Sequence, residues 1–212
     1  MRGRVTLVVG LTGGIGCGKS SACKIFTELG IDVIDTDQIS HELTQYNGAA
    51  IPVIRSQFGE EYITIDGVLD RVRMRRLVFT DSNCRVKLEA LLHPLILEIV
   101  TKRILHCKSP YVIIAVPLLL ETNDYGHLIN RILVIDCDER LQIMRAMTRS
   151  HLSAEEVKAI MTVQLNRKQR LEKADDIIVN NDDMYCLREQ VVCMHRNYID
   201  LSSSTGSSKL KK

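Results

Sequence analysis

The stretch GLTGGIGCGKSSA, Gly10 to Ala22, decides the fold. Gly13-Gly-Ile-Gly-Cys-Gly18-Lys19-Ser20 within it matches G-x-x-x-x-G-K-[ST]. A Val-rich run precedes the match and a helical pattern follows it, which is the context this motif requires. Glycines let the backbone wrap a phosphate with its N–H groups turned inward, and the following helix directs its positive end at the same anion. Gly14, Ile15, Gly16, Cys17, Gly18, Lys19, Ser20 and Ser21 are therefore the expected nucleotide-phosphate contacts. Lys19 bridges the outer phosphates, and the Ser20 hydroxyl suits a Mg²⁺ shell, since that ion takes oxygen ligands and keeps several waters.

Outward from the loop, short runs rich in Val and Ile alternate with stretches of helical period. Strands are expected over 5–11, 32–35, 111–116, 131–136 and 176–179. None shows strict alternation, as befits strands covered on both faces. Helical patterns occupy 19–29, 38–43, 49–58, 70–79, 84–106, 139–148, 154–165 and 184–198, with His93-Pro94 expected to bend or interrupt the longest. The alternation predicts an α/β fold with a parallel five-stranded sheet flanked by helices. The core takes up 1–42, 108–138 and 174–201, and a helical insertion spans about 43–107. A second helical insertion, 139–173, carries Arg140, Arg145, Arg149, Lys158, Arg167, Lys168, Arg170 and Lys173. Residues 202–212 are polar and of low complexity, and are expected to be disordered.

The 212 residues are 45% hydrophobic and 25% charged, the balance of a globular protein. A net charge of +2 gives no concentrated basic face, so neither nucleic acid nor a membrane is expected as a partner. The seven cysteines form no CxxC pair, which fits neither a zinc site nor a disulfide framework and points to a reducing, cytoplasmic setting.

Val33-Ile34-Asp35-Thr36-Asp37 ends the second strand. Ligands of open α/β sheets sit beyond the carboxyl ends of strands, which brings Asp35 and Asp37 toward the phosphates. Phosphoryl transfer to an alcohol needs a group that orients the hydroxyl and takes its proton, and a carboxylate does both. Either aspartate also suits a helix N-cap, Asp37 more so from its position before 38–43.

GLTGGIGCGKS, VIDTD, DGVLDR, LLHP, PLLLE and the ending Q…R…ADDIIVNN occur in this order from about Val5 to Asn181. Together they closely resemble the dephospho-coenzyme A kinase family. The resemblance implies ATP-dependent phosphorylation of the ribose 3′-hydroxyl of dephospho-CoA, the last step of CoA synthesis. It also implies a phosphate-loop kinase core with a helical CoA-binding domain and a lid. By the same resemblance Asp37 is the catalytic base, Asp35 holds magnesium or substrate, and Arg71 and His93 meet the acceptor. The lid supplies Arg145 and Arg149, which fall one helical turn apart and so on one face. Ala115-Val116-Pro117 ends the third strand without an aspartate, so the metal-binding acid of many phosphate-loop proteins is displaced, with Asp35 as its replacement and Glu121 farther on. Relatives often carry an arginine near Ile160–Met161, and this chain does not. Position 17 is usually serine or another small residue, and here it is cysteine. Its thiol is read either as a small group that fits, or as a thiolate favoured by the loop's positive potential and shielded by ATP. Another phosphate-loop small-molecule or nucleoside monophosphate kinase is the alternative. A GTP-dependent switch lacks its N-K-x-D motif, Asn166-Arg167-Lys168-Gln169 being the nearest string.

Overall fold

The computed structural model describes residues 7–122 and 124–207. Five strands, β1 (Leu7–Gly13), β2 (Asp32–Asp35), β3 (Tyr111–Ala115), β4 (Arg131–Asp136) and β5 (Asp176–Val179), form one sheet in the order β2-β3-β1-β4-β5. The pairings of β1 with β3, β1 with β4, and β4 with β5 are parallel. β1 is central, so the turn that follows it opens where chain connections leave toward both sides of the sheet, the ordinary ligand position of this architecture. The expected start of β1 at Val5 lies outside the described residues. The strand runs two residues farther than expected, because Gly13 still pairs with Ile135 of β4.

The chain packs as two compact units, residues 35–103 and the remainder. In the larger unit, α1 (Lys19–Glu28) and α9 (Met184–Ser207) lie against β1 and β3 and against each other. Val9, Leu11, Ile25, Phe26, Ile113, Leu133, Ile135 and Ile178 make a core with almost no exposed surface. Tyr111 stands edge-on to both Phe26 and Tyr198, and the Tyr198 hydroxyl donates to Asp176 at 2.8 Å. That anchor fixes the middle of α9. The helix then continues to Ser207, so the first residues of the tail expected to be disordered are helical, and 208–212 lie outside the described residues. Ser202 and Ser203 hydroxyls donate to the Ile199 carbonyl and Ser204 to that of Leu201, which satisfies locally a segment too polar to look helical.

The second basic insertion is three helices: α6 (Glu139–Ser150), α7 (Ala154–Thr162) and α8 (Arg167–Glu172). A reciprocal capping box between Ser153 and Glu156 starts α7, and the Asn166 side chain accepts the Gln169 N–H to start α8. The expected helix over 154–165 ends at Thr162, ahead of that cap.

In the smaller unit, α2 (Thr36–Leu43), α3 (Ile51–Phe58), α4 (Arg71–Thr80) and α5 (Ser82–His106) bury Ile39, Leu43, Ile54, Met74, Ile96 and Val100. α5 is not interrupted at His93-Pro94. Proline deletes one N–H, and burial of Ile96 and Val100 just beyond it holds the helix together. Among the described residues no helix is long and apolar enough to cross a membrane.

Candidate functional site: the phosphate loop and its surroundings

The turn between β1 and α1 is closed by the Cys17 N–H donating to the Gly14 carbonyl at 3.1 Å. Gly16 and Gly18 have φ of 75° and 94°, left-handed values that a side chain rarely adopts. Gly18 has a second constraint: an added Cβ would strike the Asn180 side-chain amide, whose Nδ2 donates to the Cys17 carbonyl at 2.8 Å. Lys19 and Ser20 open α1 directly after this turn. Backbone N–H groups, a lysine and two hydroxyls are thus gathered at a helix N-terminus, which is the chemistry of phosphate binding.

Asn180 is itself placed by β5. Its N–H donates to the Asp136 carbonyl at 2.8 Å, and its own carbonyl accepts from Arg145 at 2.8 Å. Arg145 also reaches the Asp182 carbonyl at 3.4 Å, so this arginine ties α6 to the loop after β5. Arg149, one turn on, is exposed in the last turn of α6. Asp136, 2% exposed at the end of β4, is clamped by Arg167, whose Nε lies 3.0 Å from both carboxylate oxygens and whose Nη2 lies 2.6 Å from Oδ2. Arg167 also pairs with Asp138 at 3.3 Å.

Three further side chains from 139–173 meet the loop. Gln164 Oε1 accepts the Ile15 N–H at 3.2 Å. A Cβ built on Gly14 would lie 2.6 Å from Gln142 Oε1 and 3.0 Å from Arg170 Nη2. Glu121 accepts the Leu165 N–H at 2.7 Å, so this acid anchors the segment between α7 and α8. Gln142, Gln164, Arg170 and Asn180 were given no role from the sequence. Gln164, Arg170 and Asn180 fall within the quoted ending Q…R…ADDIIVNN, while Gln142 lacks any local signal.

Cys17 turns inward. It has no exposed surface, and its Sγ lies 3.5 Å from that of Cys137, also buried. The contact with Cys137, and then burial, push the Cys17 thiol far above the usual thiol range. The thiolate reading is thereby overturned: the side chain sees the core and not the anion-binding face. Iodoacetamide should accordingly leave Cys17 and Cys137 unmodified in the folded protein, with or without ATP, while the exposed Cys193 reacts. Peptide mass mapping checks this, and labelling of Cys17 that ATP suppresses would restore the other reading.

In the smaller unit, Asp35 caps α2: its Oδ1 accepts the Asp37 N–H at 2.9 Å. Asp37 is exposed in the first turn. The leaning toward Asp37 as the cap is corrected, because Asp35 retains the extended backbone of a cap while Asp37 is already helical. Arg71 donates to the Thr44 hydroxyl at 2.6 Å, and burial, followed by the charge of Arg75, lowers its pKa. His93 lies half-buried within α5. No group of three or more His, Cys, Asp or Glu side chains able to hold a metal occurs among the described residues.

The family model described as dephospho-CoA kinase matches residues 7–185. A curated dephospho-CoA kinase of Nitrosospira multiformis is 52% identical over 199 residues, covering 94% of this chain and 100% of the relative. A solved dephospho-CoA kinase from Campylobacter jejuni superposes with a TM-score of 0.66 at 28% identity, over 93% of this chain and 98% of that one. Shikimate kinase from Acinetobacter baumannii superposes with a TM-score of 0.53 at 15% identity, over 93% and 95% of the two chains, a likeness of fold alone.

Proposed function

The chain belongs to the dephospho-CoA kinase family, and we infer that it transfers the γ-phosphoryl group of ATP to the ribose 3′-hydroxyl of dephospho-CoA. The bond from the γ-phosphorus to the β–γ bridging oxygen breaks, a bond to O3′ forms, and ADP leaves with the electron pair. The observation that carries this reading is 52% identity to a curated relative over 94% of the chain, whose phosphate loop has the backbone described above.

The loop N–H groups and Lys19 bind the triphosphate, and Asp37 takes the proton released by the 3′-hydroxyl. Asp37 stands exposed in the first turn of α2, just after the strand end, which supports it in this role. Arg71 and His93 are assigned to the acceptor; burial and the charge of Arg75 lower the pKa of Arg71, a cost that an acceptor phosphate would offset. Arg145 and Arg149 belong to a lid, 139–173, that excludes water from the transfer; here Arg145 shapes the loop after β5 and Arg149 is the arm able to reach a ligand. The smaller helical unit takes the acceptor.

The Ser20 hydroxyl and the Asp35 carboxylate are each assigned as an oxygen donor to Mg²⁺, and no group of three or more His, Cys, Asp or Glu able to hold a metal occurs among the described residues. That donor set fits an ion that keeps most of its waters and borrows phosphate oxygens. When bound, Mg²⁺ neutralises charge on the β- and γ-phosphates. Seven free cysteines fit a reducing, cytoplasmic setting.

Mass analysis of products from ATP and a panel of acceptors tests the reading. Dephospho-CoA should gain one phosphate at the 3′ position; phosphorylation of a nucleoside monophosphate with dephospho-CoA left untouched would replace it. Lys19→Ala should lower turnover about 10²-fold or more by removing a charge from the outer phosphates, and an unchanged rate would free Lys19 of that role.

A further inference from the structure

Arg170 and Gln142 bring to the phosphate loop buried polar atoms that no protein group among the described residues satisfies. Arg170 is 5% exposed and Gln142 1% exposed, yet Arg170 Nε and Gln142 Oε1 lack hydrogen-bond partners. They are the two such side-chain atoms among the described residues, and both side chains converge on Gly14.

Their orientations are set from behind. Gln142 Nε2 donates to the Cys137 carbonyl at 3.0 Å, so its amide cannot turn without breaking that bond, and Oε1 is held toward the loop. Arg170 Nη1 donates to the Leu165 carbonyl at 3.2 Å, which leaves the Nε–Nη2 edge for another acceptor. That edge is a two-pronged fork suited to two oxygens of a phosphate. The neighbouring arginines are different: Arg167 is neutralised by Asp136 and Asp138, and Arg145 is occupied by carbonyls. No carboxylate pairs with Arg170 among the described residues. A buried guanidinium without a counter-ion is costly, and a fold keeps one where a ligand supplies the missing charge. Gly14 has only hydrogen where a side chain would block the approach.

We propose that Arg170, held by the Leu165 carbonyl, is a catalytic residue that binds the terminal phosphate of ATP beside Gly14 and stays on that group during transfer. The proposal rests on the reading of the chain as an ATP-dependent kinase. As the phosphoryl group leaves the bridging oxygen, its charge spreads over three equatorial oxygens. A preplaced, water-excluded fork stabilises that charge without reorganising.

The test compares Arg170→Met and Arg170→Lys in the full chain, reading turnover, KM for dephospho-CoA, calorimetric affinity for ATP and for ADP, and melting temperature. Arg170→Met should lower kcat about 10²–10³-fold, with KM for dephospho-CoA little changed. It should weaken ATP about tenfold while leaving ADP within about threefold, because only ATP carries the terminal phosphate. It should not lower the melting temperature, since an apolar side chain of similar length removes a buried charge. Lysine should restore part of the rate. Turnover of Arg170→Met within about threefold of wild type overturns the proposal. Equal losses of ATP and ADP affinity with a lower melting temperature also overturn it and mark Arg170 as packing. Should the wild-type chain leave dephospho-CoA untouched, the functional reading fails, and the ATP-to-ADP comparison still decides Arg170.

Discussion

Asp37→Asn is expected to bind ATP within about threefold of wild type and to turn over about 10²–10⁴-fold more slowly. Asparagine keeps the shape and removes the basicity, so the loss reads proton transfer and little else. The substitution leaves the cap of α2 in place, because that cap is the Asp35 carboxylate accepting the Asp37 backbone N–H. Asp35→Ala is the converse control: it should cost about 1 kcal/mol of stability through the lost cap. Stopped assays at saturating ATP and dephospho-CoA separate the two effects. Wild-type turnover in Asp37→Asn would remove that residue from the reaction.

Arg167→Ala is expected to be the most destabilising substitution of a charged residue in the lid segment, by about 3 kcal/mol. The reason is what it leaves behind. Asp136 is 2% exposed, and its carboxylate has both oxygens on Arg167. Truncation strands a buried anion at the end of β4, next to the strand turn that positions Asn180. Against a total stability of about 5–15 kcal/mol, such a loss shows plainly in a denaturant melt. Asp136→Asn combined with Arg167→Met should recover most of it, since neither partner then retains a charge. A lone Arg167→Ala that melts like wild type would show that Asp136 finds another partner.

The elements were legible where local chemistry was sufficient. The bounds of β2, β4 and β5 follow from Val- and Ile-rich runs, and the phosphate loop from its glycines. Asn166 is a cap residue by type, and it marks the start of α8, which none of the expected helices covers. The tail helix past Tyr198 was not legible, because serines satisfy themselves against the helix backbone and give no apolar period. The site divides in the same way. Lys19 and Ser20 are announced by their neighbours in the chain, whereas Gln142, Arg170 and Cys137 reach the loop only through the sheet. Spacing says nothing about such contacts. Cys17 shows the limit: the motif puts it in an anion-binding turn, and the burial of its thiol against Cys137 depends on a residue 120 positions away.

Those long spans also order events during synthesis. The Cys17 carbonyl waits for Asn180, 163 residues later, and the Ile15 N–H for Gln164, 149 residues later. β1, emerging first, is flanked in the finished sheet by β3 and β4, both from the second half of the chain. A nascent chain therefore carries its nucleotide motif outside the ribosome, without the groups that shape it, for most of translation. Its final form therefore waits for the segment that carries β5 and Asn180.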